Sequence, residues 1–99
     1  MAVISGTLNA LNKVSASTIT VAAENAFRIF TKNVDDCTVK VVVNPGNRGV
    51  NFEYVVAPVS GDEELVPFLQ SGDVVWVEID LIGSGENANA VFDFETVTL

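Results

Sequence analysis

Hydrophobic and polar residues alternate with a period of two along most of the chain, which is the pattern of β-strands with one buried face. The alternation is clear in "AFRIFTK", where Phe27 and Ile29 share one face and Arg28 and Lys32 share the other. Comparable stretches lie at residues 18–23, 37–43, 51–57, 73–83 and 90–99, and a weaker one lies at 3–8. The pattern predicts about six to eight strands.

The stretches between these strands are rich in turn-forming residues, as in "NPGNRG" at 44–49 and "GSGENAN" at 83–89. Proline presets the bend of a turn, and glycine supplies the positive φ that many turns need. A chain of 99 residues is also too short to divide into two stable cores. We therefore predict one all-β, mostly antiparallel domain over residues 1–99, built as a small β-sandwich or barrel.

One segment, "SGDEELVPFLQ" at 60–70, departs from the alternation. Ser60 with Glu63 three residues later forms the signature of a capping box, and the acids between them suit the N-terminus of a helix. Pro67 would remove a hydrogen bond from a longer helix. The sequence therefore predicts one short helix near residues 62–69.

The composition narrows the possible chemistry. Histidine is absent, which removes the usual general base and the usual metal ligand, and Cys37 is the only cysteine, which excludes an internal disulfide. Asp80 and Asp93 would lie on strands that could be neighbours, but a small domain with a full core leaves little room for the walled site of an acid–base enzyme. We predict no catalytic residues, no metal site and no cofactor.

The N-terminal residues do not have the order of a signal peptide, because the first basic residue is Lys13. No apolar run approaches the roughly 20 residues that a membrane-spanning helix needs. These two features predict a soluble protein that is made in the cytosol and that has the virion as a further location if it is part of a particle.

Charge is distributed unevenly along the chain. The first fifty residues carry five bases and three acids, whereas residues 51–99 carry ten acids and no base, for a net charge of −8. One interpretation is a solvated acidic surface. A sharper hypothesis is that one surface region is positive and another negative, as in a subunit that assembles head to tail.

A basic and aromatic pattern raises the possibility of nucleic-acid binding. Arg28, Phe30 and Lys32 alternate on one strand face, and Lys40 and Arg48 follow along the chain. Proteins that bind single strands use aromatic rings for stacking and cations to neutralise phosphates. The net charge of −8 opposes this interpretation, because DNA would be repelled unless most cations lay on one face.

The order of the predicted elements resembles the oligonucleotide/oligosaccharide-binding (OB) fold, in which a short helix falls between the third and fourth strands. "FLQSGDVVWVEIDL" at 68–81 is similar to the glycine-then-strand passage of bacterial single-stranded-DNA-binding proteins. The resemblance covers roughly residues 18–99 and implies a closed barrel that binds single-stranded nucleic acid.

"DVVWVEIDLIG" at 73–83 leads to a different function. Its alternation buries Val75, Val77 and Ile79 and directs Trp76 outward, among acids. An outward tryptophan is typical of a protein–protein interface. The favoured hypothesis is a non-enzymatic assembly protein, such as a virion decoration, cement or coat subunit that binds copies of itself or a larger protein shell. The candidate interface residues are Trp76, Arg28, Phe30, Lys32, Lys40 and Arg48.

Overall fold

The computed structural model describes residues 3–15, 17–45, 50–56, 60–67 and 69–99. These residues form eight strands and no helix, and every strand pairing is antiparallel, so the all-β prediction is confirmed. The strands are β1 Val3–Asn9, β2 Ile19–Thr20, β3 Ala26–Asp35, β4 Cys37–Asn44, β5 Phe52–Val55, β6 Asp62–Val66, β7 Val74–Leu81 and β8 Asn89–Val97. Without a helix in these ranges, nothing described has the form of a membrane-spanning helix.

The strands form two four-stranded sheets that pack face to face as a β-sandwich. Sheet A has the order β1-β8-β3-β6, and sheet B has the order β2-β7-β4-β5. The first strand pairs with the last, the second with the seventh, the third with the sixth and the fourth with the fifth. This is one long antiparallel hairpin rolled up on itself, which is the jelly-roll form of a sandwich.

The core lies between the two sheets and is made by the alternation that the sequence predicts. On sheet A, Phe27 and Phe94 are fully buried, and their ring centroids are 5.6 Å apart. On sheet B, β4 and β7 contribute a layer of buried valines that includes Val41 and Val77. Tyr54 of β5 packs edge-on against Phe27 at 5.7 Å, which joins the two layers.

The predicted helix near 62–69 is wrong. Asp62–Val66 forms β6, which pairs with β3 along its whole length. The Ser60 hydroxyl does not cap a helix but accepts a hydrogen bond of 2.9 Å from the backbone N–H of Val34. Pairing with a strand distant in sequence therefore outweighs the local helix signals. Phe68 lies outside the described residues.

The absence of this helix also removes the order of elements on which the resemblance to the OB-fold depended. β3 and β4 are joined by Asp36 alone, which adopts a positive φ of 49°. The "QSGD" turn closes with Gly72 at a φ of 92°, and β7 follows it as predicted. In the described residues the architecture is a sandwich of two sheets, with β7 in the middle of sheet B.

Candidate functional site

The candidate interface residues lie on the two opposite outer faces of the sandwich. Arg28, Phe30 and Lys32 of β3 project from sheet A, away from the buried Phe27 and Ile29. Lys40 of β4 and Trp76 of β7 project from sheet B. Arg48 lies outside the described residues. The fold therefore separates the candidates into two surfaces, which we call the sheet A face and the sheet B face.

On the sheet A face, the cations of β3 bind carboxylates of the two neighbouring strands. Arg28 forms ion pairs with Glu63 of β6 at 3.2 Å and with Glu95 of β8 at 2.5 Å. Lys32 forms an ion pair of 3.0 Å with Asp93 of β8. The side chains of Arg28 and Lys32 remain 43% and 49% exposed, so water screens these pairs.

Phe30 lies between the two cations and is half-buried. It lines a hollow of about 280 Å³ whose rim includes Val3, Glu63 and Glu95. The pKa of Asp93 at the same hollow is lowered, first by the hydroxyl of Ser5, which donates a hydrogen bond of 2.8 Å, and then by Lys32. A nucleic-acid phosphate at this hollow would compete with carboxylates that the cations already bind.

On the sheet B face, a single cation is surrounded by carboxylates. The ammonium of Lys40 lies 2.8 Å from Glu53, 3.3 Å from Asp80 and 3.6 Å from Glu78. Its side chain is only 13% exposed, although it is on an outward face. The hydrogen bond to Glu53 is the main cause that raises the pKa of Lys40, and Asp80 adds to it.

Trp76 projects outward from β7 as predicted, since Val75, Val77 and Ile79 are buried on the other side of the strand. The tryptophan is half-buried, and its indole Nε1–H donates a hydrogen bond of 3.0 Å to Glu78. Glu78 thus links the tryptophan to the Lys40 cluster.

Val42 of β4 lies directly across from Trp76 in the pairing of β4 with β7. It is 3% exposed even though it faces outward, between Trp76 on one side and Glu53 on the other. The sheet B face therefore contains a small outer cluster of its own, in which the tryptophan and the carboxylates are held in place.

The uneven distribution of charge along the sequence becomes ion pairing within the fold. β3 and β4 belong to the basic half of the chain, and each lies between two strands from the acidic half. Arg28, Lys32 and Lys40 all bind carboxylates from beyond residue 50. For these residues, the hypothesis of separate positive and negative regions is wrong, because the rolled hairpin pairs early strands with late ones.

The candidate acid pair is not brought together. Asp80 lies on the sheet B face, and Asp93 lies on the sheet A face, because β7 and β8 belong to different sheets. Each carboxylate binds a lysine of its own sheet. Within the described ranges, no group of three or more His, Cys, Asp and Glu side chains could hold a metal ion. Cys37 is buried, and burial raises the pKa of its thiol.

The sequence interpretation missed a polar cluster between the sheets. The hydroxyl of Tyr54 donates a hydrogen bond of 2.7 Å to Glu64 of β6, which raises the pKa of Tyr54. Burial is the main cause that raises the pKa of the neighbouring Asp62, and its hydrogen bond with Glu64 adds to the shift. The sequence feature that could have predicted this cluster is the alternation of Asp62, Glu64 and Val66 on one face of a strand. It was overlooked because the segment was predicted to be a helix.

No protein-family model, curated protein sequence or solved structure matches this chain. Its function must therefore be inferred from its own residues and from the general properties of its fold. Jelly rolls occur in viral capsid domains, in lectins and in cupins, so the fold alone does not assign a function.

Proposed function

We propose that this chain is a non-enzymatic assembly protein, a subunit of a multimeric particle such as a virion decoration, cement or coat protein. Its partners are other copies of itself or a larger protein shell. The observation that carries the proposal is the position of Trp76 on the sheet B face, where the indole N–H is bonded to Glu78 and Glu78 also lies 3.6 Å from Lys40.

The sheet B face combines apolar side chains with polar groups that are already bonded. Val14, which pairs with Glu78 in an isolated bridge, is 52% exposed, and Val55, which pairs with Lys40, is 61% exposed. Covering a charge costs little only when it is paired beforehand. Lys40 balances only one of the three carboxylates around it, so a partner that covers Trp76 and the valines should also present a cation to this face.

Two hollows on the described surface are small for a small-molecule substrate. The one at Phe30 measures about 280 Å³ and the one at Gly6 about 140 Å³, which is at or below the low end of the usual 300–1,000 Å³ of small-molecule sites. The use of jelly rolls in viral capsids is an analogy at the level of the fold, and it agrees with this proposal without carrying it.

The first experiment measures the size of the protein by light scattering during size-exclusion chromatography over a wide range of concentration. We expect an oligomer that dissociates on dilution. Because Trp76 is the only tryptophan, its fluorescence reports on the sheet B face and should shift to shorter wavelength on assembly. A strict monomer at all concentrations, with unchanged fluorescence, would contradict self-assembly.

A matched pair of variants locates the contact. Trp76→Ala should raise the dissociation constant by about tenfold or more, since tryptophan side chains at interfaces contribute about 2 kcal/mol or more. Phe30→Ala removes a half-buried aromatic from the opposite face and serves as the control. Equal effects of the two substitutions would show that the sheet B face is not the dominant contact.

The second candidate function is binding of single-stranded nucleic acid by the sheet A face, which the placement of Phe30 between Arg28 and Lys32 favours. It predicts salt-sensitive binding of an oligonucleotide that Phe30→Ala and Arg28→Ala weaken. A titration at low salt tests it, and no detectable binding would reject it.

A further inference from the structure

The two sheets have four edges, and three of them carry features that discourage pairing with another chain. β2 is only two residues long, and β5 is four residues long and contains Glu53. β6 has the inward-facing acids Asp62 and Glu64 and is followed by Pro67. Short strands, inward charges and proline are the means by which natural sheets prevent association through their edges.

The fourth edge, β1, has none of these features. Its seven residues, "VISGTLN", include no charge and no proline. Their pairing with β8 runs in unbroken register from Val3 opposite Glu95 to Asn9 opposite Asn89. No described strand pairs with the other side of β1, which therefore presents backbone donors and acceptors to a further strand.

The charge around β1 also favours a second copy of this acidic chain. The sequence has no acid before Glu24, and Lys13 is the only charged side chain in that stretch. The acids of β8 next to β1 are neutralised, Asp93 by Lys32 and Glu95 by Arg28. Two molecules of net charge −8 therefore meet with little repulsion at this edge.

Gly6 creates a gap in the inner face of β1. Ile4 and Leu8 on either side of it are buried, but a Cβ added at Gly6 would have no atom within 4 Å. The gap belongs to a hollow of about 140 Å³ that Phe92 and Ser15 also line. An added strand with an apolar residue opposite Gly6 would close the open side of this hollow.

We propose that β1 pairs antiparallel with β1 of a second copy across a two-fold axis, so that two A sheets become one continuous sheet of eight strands. This inference rests on the proposed assembly function and adds to the sheet B face a second contact, at the β1 edge of sheet A, with another copy of the chain as its partner. In either register described below, such a pairing joins five residues of each strand and adds about four to six backbone hydrogen bonds. Pairing of β1 with β6 of the next molecule is disfavoured, because Asp62 and Glu64 would be enclosed at that contact.

Two registers place an apolar side chain opposite Gly6, and they are distinguishable. If Ile4 of the second copy lies opposite Gly6, then the two Ser5 residues face each other. If Leu8 lies there, the two Thr7 residues face each other. Opposed residues of antiparallel strands lie close enough for a disulfide.

Single-cysteine variants therefore test the proposal by oxidation followed by a non-reducing gel. We expect a covalent dimer from Ser5→Cys or from Thr7→Cys. Leu65→Cys, on the exposed outer side of β6, is the matched control and should stay monomeric on the gel. The native Cys37 is buried and does not compete.

Each other outcome overturns the inference. A disulfide that forms only when a β1 variant is mixed with Leu65→Cys would show head-to-tail pairing. Assembly by light scattering without any such disulfide would place the contact elsewhere and leave the proposed function standing. A strict monomer would overturn the inference and contradict self-assembly, and it would leave only a larger protein shell as the partner of the proposed function.

A charge placed in the gap gives a second test. Gly6→Lys puts an inward charge on the edge, which the monomer accommodates because Gly6 has no positive φ and open space around it. The dimer would bury this charge, so its dissociation constant should rise by about tenfold or more. Asn51→Lys, exposed before β5, makes the same change in net charge and should not weaken the dimer. Unchanged dimerisation of a folded Gly6→Lys would contradict the pairing.

Discussion

On both outer faces, cations of a central strand bind carboxylates of the two neighbouring strands, but the cations of the two faces differ in how far they are exposed to solvent. On the sheet A face, Arg28 and Lys32 share three carboxylates, and both cations remain nearly half exposed. On the sheet B face, Lys40 alone holds three carboxylates and is largely covered. Ion pairs contribute little in water and become consequential as they are desolvated. We therefore expect the ion pairs of the sheet B face to contribute more to stability than those of the sheet A face, because burial matters more here than the number of charges.

The largest effect should come from removing the central cation of the sheet B face. Lys40→Met leaves three carboxylates crowded without a partner, and we expect a loss of about 2 kcal/mol in the free energy of unfolding, between the values for exposed and buried pairs. Urea denaturation followed by circular dichroism measures it.

Lys32→Met is the control for this experiment on the sheet A face. It removes one ion pair with Asp93, in which both side chains are exposed. Its effect on the free energy of unfolding should therefore be a small fraction of that of Lys40→Met. Equal losses in the two variants would mean that burial does not distinguish the two faces.

The sheet B face should also produce a decline in stability at alkaline pH. The pKa of Lys40 is raised, chiefly by the hydrogen bond to Glu53. Its contribution is therefore fully present below the unfolded pKa of about 10.4 and is lost as pH rises through the folded pKa. The difference in stability between wild type and Lys40→Met should shrink above about pH 10.

Tyr54 and Cys37 also have raised pKa values and contribute to the alkaline decline in both proteins. The informative quantity is therefore the difference between wild type and Lys40→Met, measured by urea denaturation at several pH values. A difference that stays constant through the alkaline range would contradict the role of the Lys40 ammonium.

A smaller effect should follow from the hydrogen bond of the tryptophan. Trp76→Phe keeps an aromatic ring opposite Val42 but removes the donor to Glu78. We expect a loss of about 1 kcal/mol in the free energy of unfolding, measured by circular dichroism because the fluorophore is gone. No loss in this variant, with a normal loss in Lys40→Met, would mean that Glu78 is held by Lys40 alone.

The sequence alone predicted the properties that depend on local alternation. The outward direction of Trp76 followed from its strand, because a shift by one residue would bury Glu78 and Asp80. The all-β class also follows from the local pattern. These features depend on which face of a strand a residue occupies, and the period of two encodes that directly.

The arrangement of the faces could not be predicted, because it depends on strand order. Nothing local places Lys40 between Glu53 and Glu78, which lie 13 and 38 positions further along the chain. The strand at Asp62–Val66 was missed for the same reason, since its pairing with β3 is a contact between distant segments. Local capping signals indicated a helix, and a non-local partner determined a strand.

The smallest predicted effect is on the sheet A face. Its contribution to stability should be lost at acid pH, whereas that of the sheet B face should be lost at alkaline pH. The pKa of Asp93 is lowered, first by the Ser5 hydroxyl and then by Lys32. Its contribution to stability is present above the unfolded pKa of about 3.9 and is lost as pH falls through the folded pKa.

Ser5→Ala removes the main cause of the lowered pKa of Asp93. The variant should therefore be slightly less stable than wild type at neutral pH, with the difference shrinking below about pH 4. Urea midpoints measured across this range test it. The Lys40→Met difference should shrink at alkaline pH, and the Ser5→Ala difference should shrink at acid pH. A Ser5→Ala difference that persists unchanged to low pH would show that the hydroxyl stabilises β1 by some route other than the ionised Asp93.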